Sequence, residues 1–520
     1  MAPNLGIKRM GQNMVVTKLR LVACLLLATT LTACATLDPV ELEPEYTPAP
    51  AAAPVWTDLE QATPDEWLYL LNDGSTALDW RLRAIDGATE SIDVQTFLWH
   101  FDTTGSLVLD RLVRAADRGV QVRILVDDTF LLGEDDLLEA LHEHGNIEYR
   151  VFNPYKRRAS GFLTREILNL AEFHRLDHRM HNKSMIVDNQ VAIVGGRNLA
   201  DEYFGLDGQA NFRDMELLVG GTLVPQLANI FDDYWNNQWS VPIELLTDAE
   251  ASTAALEQAR HVLSSGEAQY LHTPESAAAR KSAWAELATA VVEGRVGIYA
   301  DKPPVSNPDD DQSAPVQVAN EIVRLLDNAQ QEIIIISAYL IPTVELEDAV
   351  QRAAARGVRV RILTNSIRSN NHLAAHSAYR KHIGQLLTHG TEVHEVRIDA
   401  EDRHLYMLTP VEEKALALHA KVLVIDNDKV FIGSANLDPR SLRINTEMGL
   451  LVESQVLNAQ VREAVGLDFD PSNAWRLELT DGGHVYWVSA DQRLDSQPAA
   501  SFMQRIEDWF LAHLPIENEM

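Results

Sequence analysis

The sequence predicts an α/β protein made of two homologous halves, and three observations predict it. The pattern H-x-K-x4-D-x6-G-[GS]-x-N occurs twice. It reads His181, Lys183, Asp188, Gly195, Gly196 and Asn198 first, then His419, Lys421, Asp426, Gly433, Ser434 and Asn436. Upstream, RAADRGVQVRIL from Arg114 matches RAAARGVRVRIL from Arg352, and both matches are offset by the same 238 residues. So long a common register marks a duplicated domain-sized unit rather than a short solenoid repeat. Finally, each half runs strand, helix, strand, the order of a βαβ unit and a largely parallel sheet.

The chain has 520 residues, 46% of them hydrophobic, enough for two or three domains with cores of their own. A formal charge of −32 keeps such a surface soluble and repels nucleic acid and other polyanions at long range. Residues 1–33 read as an export signal. Lys18 and Arg20 precede a short apolar run, Leu21 to Leu31, which is too short to span a bilayer. Leu31-Thr32-Ala33-Cys34 resembles the lipobox of bacterial lipoprotein signals, which implies an acylated Cys34 and an anchor on the periplasmic side of the envelope. By the rule for such signals, Ala35 permits passage to the outer membrane. The only cysteines are Cys24 and Cys34, so the folded body is expected to hold neither a disulfide nor a cysteine metal site.

Residues 34–64, rich in Pro, Ala and Glu, read as an extended tether. A first domain is expected over 65–245, a polar linker over 246–280 and a second domain over 281–520. Ser91 to Trp99 reads as a strand, Leu107 to Arg118 as a helix stopped by Gly119, and Val120 to Val126 as a buried strand. Leu137 to His144 reads as another helix. Lys156, Arg157, Arg158 and Arg165 form a basic patch, read equally as a phosphate-facing rim or a solvated loop. Met180 to Val187 reads as the strand that carries the first motif.

In the second half, Val296 to Ala300 and Glu332 to Leu340 read as strands, and Asp301 to Pro315 as an exposed loop. Ser501 to Leu514 reads as an amphipathic helix. Phe502, Met503, Ile506, Trp509, Phe510 and Leu514 share one face, expected to pack on its own domain rather than on a membrane.

On a strand of period two, His181 and Lys183 share a face while Asp188 points the other way, and the same holds for His419, Lys421 and Asp426. The aspartates are therefore expected to be structural rather than partners of the histidines. Asp214 and Glu447, which open the parallel runs DMELLV and EMGLLV, are the better candidates to orient His181 and His419. Two histidines, two lysines and two asparagines converging from two halves suit a tetrahedral anion. A neutral imidazole attacks phosphorus, a protonated one serves the leaving oxygen, and the cations and amides hold the non-bridging oxygens. No Walker loop, H-E-x-x-H pair or carboxylate-rich cage is present in the sequence, so no metal or other cofactor is expected.

At these residues the chain resembles the phospholipase D superfamily, whose HKD motifs these are, over nearly all of it from Ser91 onward. The strings RMHNKSMIVD, VGGRN, FIGSAN, DPRS and NTEMG resemble bacterial cardiolipin synthases that lack N-terminal transmembrane helices. The resemblance implies two phospholipase D-like α/β sandwich domains about a pseudo-two-fold axis, with the site at their seam. It implies a catalytic set of His181, Lys183, Asp188, His419, Lys421 and Asp426, with His181 as nucleophile and His419 as acid, then base. It further implies phosphate contacts from Asn198, Ser434 and Asn436 and a phosphohistidine double displacement. The first copy departs from the pattern at Gly196-Arg197, where the second has Ser434-Ala435, and so lacks the motif hydroxyl. The implied activity is phosphatidyl transfer making cardiolipin from phosphatidylglycerol, with phosphatidylethanolamine as a further donor. A hydrolytic phospholipase D and a phosphodiesterase or nuclease of the same fold are the alternatives. Membrane association is expected, and nucleic acid is not an expected partner.

Overall fold

The computed structural model describes residues 37–158, 161–247, 253–264, 275–304 and 315–514. The signal segment and Cys34 lie outside the described residues. Runs of β-branched and aliphatic residues form the strands, and the repeated R-G-V turns end the helices that cover them. Gly119 and Gly357 both take positive φ there, which a side chain resists.

The first half carries β1 (Glu66–Leu71), β2 (Ser91–Thr96), β3 (Gln121–Asp127), β4 (Ile147–Phe152), β5 (Ser184–Val187), β6 (Val191–Gly195), β7 (Ala210–Arg213), β8 (Glu216–Gly221) and β9 (Ser240–Pro242). The second carries β10 (Arg295–Ala300), β11 (Glu332–Ser337), β12 (Arg359–Asn365), β13 (Glu392–Val396), β14 (Ala415–Leu418), β15 (Lys421–Ile425), β16 (Lys429–Gly433), β17 (Met448–Glu453), β18 (Ala474–Leu479), β19 (Val485–Val488) and β20 (Arg493–Leu494). The two large sheets are ordered β1-β8-β6-β5-β2-β3-β4-β9 and β10-β17-β16-β15-β11-β12-β13-β18-β19-β20. Strand by strand the orders match, as the duplicated sequence requires. Only β2-β3-β4 and β11-β12-β13 are parallel, so the sheets are mixed rather than largely parallel. Helical crossovers join these parallel strands, whereas β5-β6, β15-β16, β18-β19 and β19-β20 pair antiparallel with their neighbours in sequence.

The inner faces of both sheets share one core. Ile186, Val194 and Leu217 of the first sheet meet Val422, Ile432 and Leu450 of the second in a single buried cluster, so the seam is as dry as a domain interior. A third, two-stranded sheet crosses it: β7 of the first half pairs in parallel with β14 of the second.

Three boundaries differ from expectation. The tether is no free leash: from Leu37 on it is hydrogen-bonded along the first half, through Val40 N–H to Gln238 O (2.9 Å) and Ala51 N–H to Asp188 O (2.9 Å). It then forms a helix, Pro54–Ala62, whose Trp56 is fully buried. The linker contains the helix Thr253–Ser264, and the helix Ala277–Ala290 packs on the first half. Its Trp284 lies 5.4 Å from Trp56 and 4.9 Å from Trp80, ring centre to ring centre. The second α/β unit therefore begins at β10, not at residue 281. Apolar aromatics on both flanking segments explain this, because they bury more surface against the first half than a polar linker would. Asp301, assigned to an exposed loop, is buried and accepts from Glu447 N–H at 3.0 Å.

Asp188 ends β5 with φ +54° and Asn189 follows with φ +52°, the paired left-handed residues of a tight hairpin into β6. Its carboxylate accepts from Trp56 Nε1 (2.6 Å), Thr89 N–H (2.8 Å), Glu90 N–H (2.8 Å) and Ser91 N–H (2.9 Å). Asp426 takes the same conformation and accepts from the N–H groups of Gln330, Gln331 and Glu332, nearer to solvent. Both aspartates close the start of the neighbouring central strand. Asp188→Ala strands several buried donors and is expected to cost about 3 kcal/mol or more, against about 1 kcal/mol for Asp426→Ala. Urea unfolding of the two variants checks this, and equal losses would contradict it.

Candidate active site

The residues before β5 and β15 leave their sheets to cross the seam. Met180 bridges Thr446 of the other half, and His181 N–H donates to Thr446 O at 2.9 Å. In the pseudo-symmetric place, Leu418 is in register with Arg213, and His419 N–H donates to Arg213 O at 2.9 Å. Met180 to Lys183 is thus not sheet strand, contrary to the expected single strand from 180 to 187.

Backbone pairing with the opposite half decides the carboxylate partners. The residue after Thr446 is Glu447, and its Oε2 lies 2.9 Å from His181 Nδ1. The residue after Arg213 is Asp214, and its Oδ2 lies 2.7 Å from His419 Nδ1. Each carboxylate serves the histidine of the other half. The glycines around them make room: a Cβ on Gly196 would stand 2.3 Å from Asp214 Oδ1.

Ser434, which replaces Gly196 in the second copy, points its hydroxyl at Glu447 and accepts from Met448 N–H at 3.0 Å. It holds the carboxylate; it does not line the cavity expected to take phosphate. Asp301 supports Glu447 from below through the backbone N–H, and its own carboxyl is pushed up to about 7 by burial.

Burial dominates the electrostatics. It pushes His181 below its ordinary value, and the Lys183 charge adds to this against Glu447. His419 is pushed down to about 3 by burial and by Lys421, whose Nζ is 3.0 Å from Nδ1. Burial opposes ionisation of Asp214 and Glu447 too, but the histidine and lysine partners overcome it and hold both below the usual carboxylate range. At neutral pH both imidazoles are therefore uncharged. With an ionised carboxylate at Nδ1, that nitrogen carries the proton and Nε2 carries the lone pair.

Lys183 is pushed down to about 7 and Lys421 to about 8, again by burial first. Each ammonium donates to the carbonyl of the histidine two residues before it.

His181, His419, Asn198 and Asn436 line one cavity of about 580 Å³ between the halves. Asn198 is held by Tyr203 OH at 2.8 Å, and Tyr203 also stands edge-on to His419 at 4.9 Å. Phe97 does the same for His181 at 4.8 Å. These apolar edges exclude water from the imidazoles. Asp188 and Asp426, counted in the motif's catalytic set, reach neither histidine; they bind backbone at the far ends of their strands.

Of the expected basic rim, Arg158 pairs with Asp128 and Asp135 at 2.6 Å each, and Arg165 binds the Asp128 and Leu131 carbonyls. The buried Asp128 and the half-buried Asp135, which the sequence could not place, have taken those charges. Arg179 was missed: it is buried, lines the cavity and stacks over Tyr155. Its position two residues before His181 was the available signal. Among the described residues, His100, Asp102 and Glu202 at the rim each bring a ligand atom within 4.8 Å of one another. Asp102 is already committed as the cap of its helix, accepting from Gly105 N–H at 3.0 Å, and also accepts from Asp201 N–H at 2.7 Å.

Comparison with known proteins gives the family and the fold. The family described as cardiolipin synthase, phospholipase D-like domain matches residues 82–235 and 322–466, one segment in each half. The chain is 32% identical to cardiolipin synthase C of Escherichia coli, over 86% of this chain and 95% of that one. It is 27% identical to the major cardiolipin synthase ClsA of Bacillus subtilis, over 75% of this chain and 66% of that one. The crystal structure of phosphatidylserine synthase from Haemophilus influenzae shares the fold, with a TM-score of 0.54, 16% identity and coverage of 81% of this chain and 92% of that one.

The lysines set an anion-binding prediction. Each is charged below its pKa, so affinity for an oxyanion is full at lower pH and is lost as pH rises through the two values. Sulfate, whose own charge is constant over this range, should bind at least about tenfold more weakly near pH ~9 than near pH ~6. Isothermal titration measures it, and a flat affinity would remove the lysines from the anion site.

Proposed function

The chain belongs to the cardiolipin synthase family of phospholipase D-like proteins, and from that premise we propose that it transfers a phosphatidyl group to the glycerol headgroup of phosphatidylglycerol, forming cardiolipin. The observation that carries this proposal is the crossed pair of buried imidazoles at one cavity, each with Nδ1 on a carboxylate of the opposite half.

His181 Nε2 attacks phosphorus of the donor lipid, and the bond to the headgroup oxygen breaks. The departing oxygen takes a proton from His419. His419 rests neutral, so it gains that proton only once the anionic phosphodiester offsets Lys183 and Lys421; Asp214 then stabilises the imidazolium. The lysines and the amides of Asn198 and Asn436 hold the non-bridging oxygens. In the second step a phosphatidylglycerol hydroxyl attacks the phosphohistidine, gives its proton to His419, and releases His181. With phosphatidylglycerol as donor the by-product is glycerol; with phosphatidylethanolamine it is ethanolamine.

An alcohol and water compete at the second step, and the apolar edges of Phe97 and Tyr203 favour the alcohol. The charge of −32 disfavours a nucleic acid, whose affinity comes largely from phosphate contacts. Acylation at Cys34 holds the enzyme on the periplasmic side of a bacterial membrane, where its lipid substrates are concentrated.

Purified enzyme with mixed phosphatidylglycerol and phosphatidylethanolamine vesicles should yield cardiolipin. Phosphatidic acid as sole product would make it a phospholipase, and DNA cleavage with lipids untouched would overturn the assignment. Trapped phosphoenzyme should map to His181; mapping to His419 alone reverses the roles. Because the carboxylates cross, Glu447→Gln should slow formation of the adduct and Asp214→Asn its protonation-dependent steps, each by roughly a hundredfold or more. Cys34→Ala should convert a protein extracted only by detergent into one stripped from membranes by alkaline carbonate.

A further inference from the structure

The C-terminal helix, Phe502–Leu511, is packed inside out. Its polar side faces the protein: Asp508 is 1% exposed, accepts from Ser377 Oγ at 2.8 Å and pairs with Arg380 at 2.5 Å. Its apolar side faces outward, with Phe502 75%, Trp509 55% and Phe510 58% exposed. The expectation that this face packs on its own domain is thus overturned. The buried Asp508 carboxylate, hydrogen-bonded to Ser377 and paired with the half-exposed Arg380, fixes the helix in this orientation, because turning it over would carry that carboxylate away from both partners.

The neighbouring helix, Leu373–Tyr379, carries Ser377 on that side, while His372 and Ala375 line the catalytic cavity. The inverted helix is therefore one helix away from the cavity on the second half. The first half presents a matching surface. Ile167, Leu170 and Phe173 are 58%, 61% and 51% exposed, and Phe173 itself lines the cavity. Phe173 and His372, both exposed and both lining, mark the mouth from opposite halves. Exposed aromatic and aliphatic groups clustered on both sides of a cavity mouth are unusual on a soluble surface.

We infer that these two surfaces form one membrane-docking face that seats the cavity mouth on a phospholipid bilayer. The inference deepens the phosphatidyl transfer proposed above and rests on it for the identity of the occupant. The chain path supplies the independent argument. Leu37 N–H donates to Glu172 at 2.9 Å, within the same segment as the first-half surface. Cys34 is three residues before Leu37, so an acyl anchor there cannot lie more than about 11 Å from Leu37, which is bonded to Glu172 beside Phe173. The bilayer is thereby brought to this face of the molecule. Attraction is apolar: in a chain of charge −32 it cannot come from the long-range field, which anionic lipids would oppose. Anchor and docking face together give two attachments in place of one, and they point the mouth at the headgroups.

The test uses the full mature chain with Cys34→Ala, so that binding reports the face and not the acyl group. Its partner carries in addition Ile167→Ser, Leu170→Ser, Phe502→Ser, Trp509→Ser and Phe510→Ser. Vesicles of phosphatidylethanolamine and phosphatidylglycerol are floated with each protein. The parent should float, with little dependence on salt, and the substituted chain should partition at least about tenfold less. Both should turn over a monomeric short-chain phosphatidylglycerol within about twofold of each other, as expected for surface changes outside the cavity. Quenching by brominated acyl chains should appear in the parent and drop in Trp509→Phe, a readout independent of the multiple variant. A parent that does not float, equal partition of the two chains, or no quenching at Trp509 overturns the docking face. So does sedimentation showing that the parent dimerises through this face while vesicle binding is unchanged. Failure of monomeric turnover in both chains, with flotation as expected, would instead count against the phosphatidyl transfer and leave the face standing.

Discussion

The structure depends on two buried hydrogen bonds that cross the seam, Glu447 to His181 and Asp214 to His419. Neither half holds a complete site. Each contributes a histidine on a segment that has left its own sheet, and a carboxylate on the segment that pairs with its partner's. The shared core of the facing sheets is what makes these bonds short and dry. A duplicated domain that separated its halves would keep every motif residue and lose the site. That is a physical reason for both halves to stay in one chain with one core.

The same dryness sets the charge states. Four basic groups and two carboxylates are buried together, and burial disfavours every charge among them. The carboxylates remain ionised because histidine and lysine surround them, the imidazoles become neutral, and the lysines are brought close to neutrality. A phosphate in such a site would favour the charged forms of the lysines and of an imidazole, which burial opposes. In the proposed reaction, nucleophile activation and anion binding share this one cause. The supports are built in layers: Ser434 and Asp301 hold Glu447, while Gly196 gives Asp214 the space that a side chain would fill.

Outside the seam, charge and burial are used for placement. The Asp188 carboxylate joins the helix of Trp56, the start of β2 and a left-handed hairpin. The Trp56, Trp80 and Trp284 cluster ties both flanking segments to the first half. The Asp508 pair with Arg380 turns an apolar helix face to the outside. In each case a polar contact selects the orientation and apolar packing supplies most of the stability.

Much of this was legible in the sequence, for local reasons. Duplication appears as a constant offset, so the two matched sheets follow from it. Asp188 and His181 are indeed apart, although His181 lies before β5 and not on one strand with Asp188, and the parallel runs DMELLV and EMGLLV single out Asp214 and Glu447. Composition could not say which carboxylate serves which histidine. That depends on β7 pairing with β14 and on Met180 bridging Thr446, contacts between residues more than two hundred positions apart. Nor could it separate a basic rim from Arg158 and Arg165 neutralised by Asp128, a free tether from one pinned at Leu37, or an inward from an outward face of the last helix. By itself the sequence determined the two halves, the motif residues and the chemistry they suit, because these lie in residue type and spacing. Tertiary structure alone decided how charges pair and which faces are covered, because both are settled by what the opposite half brings into contact.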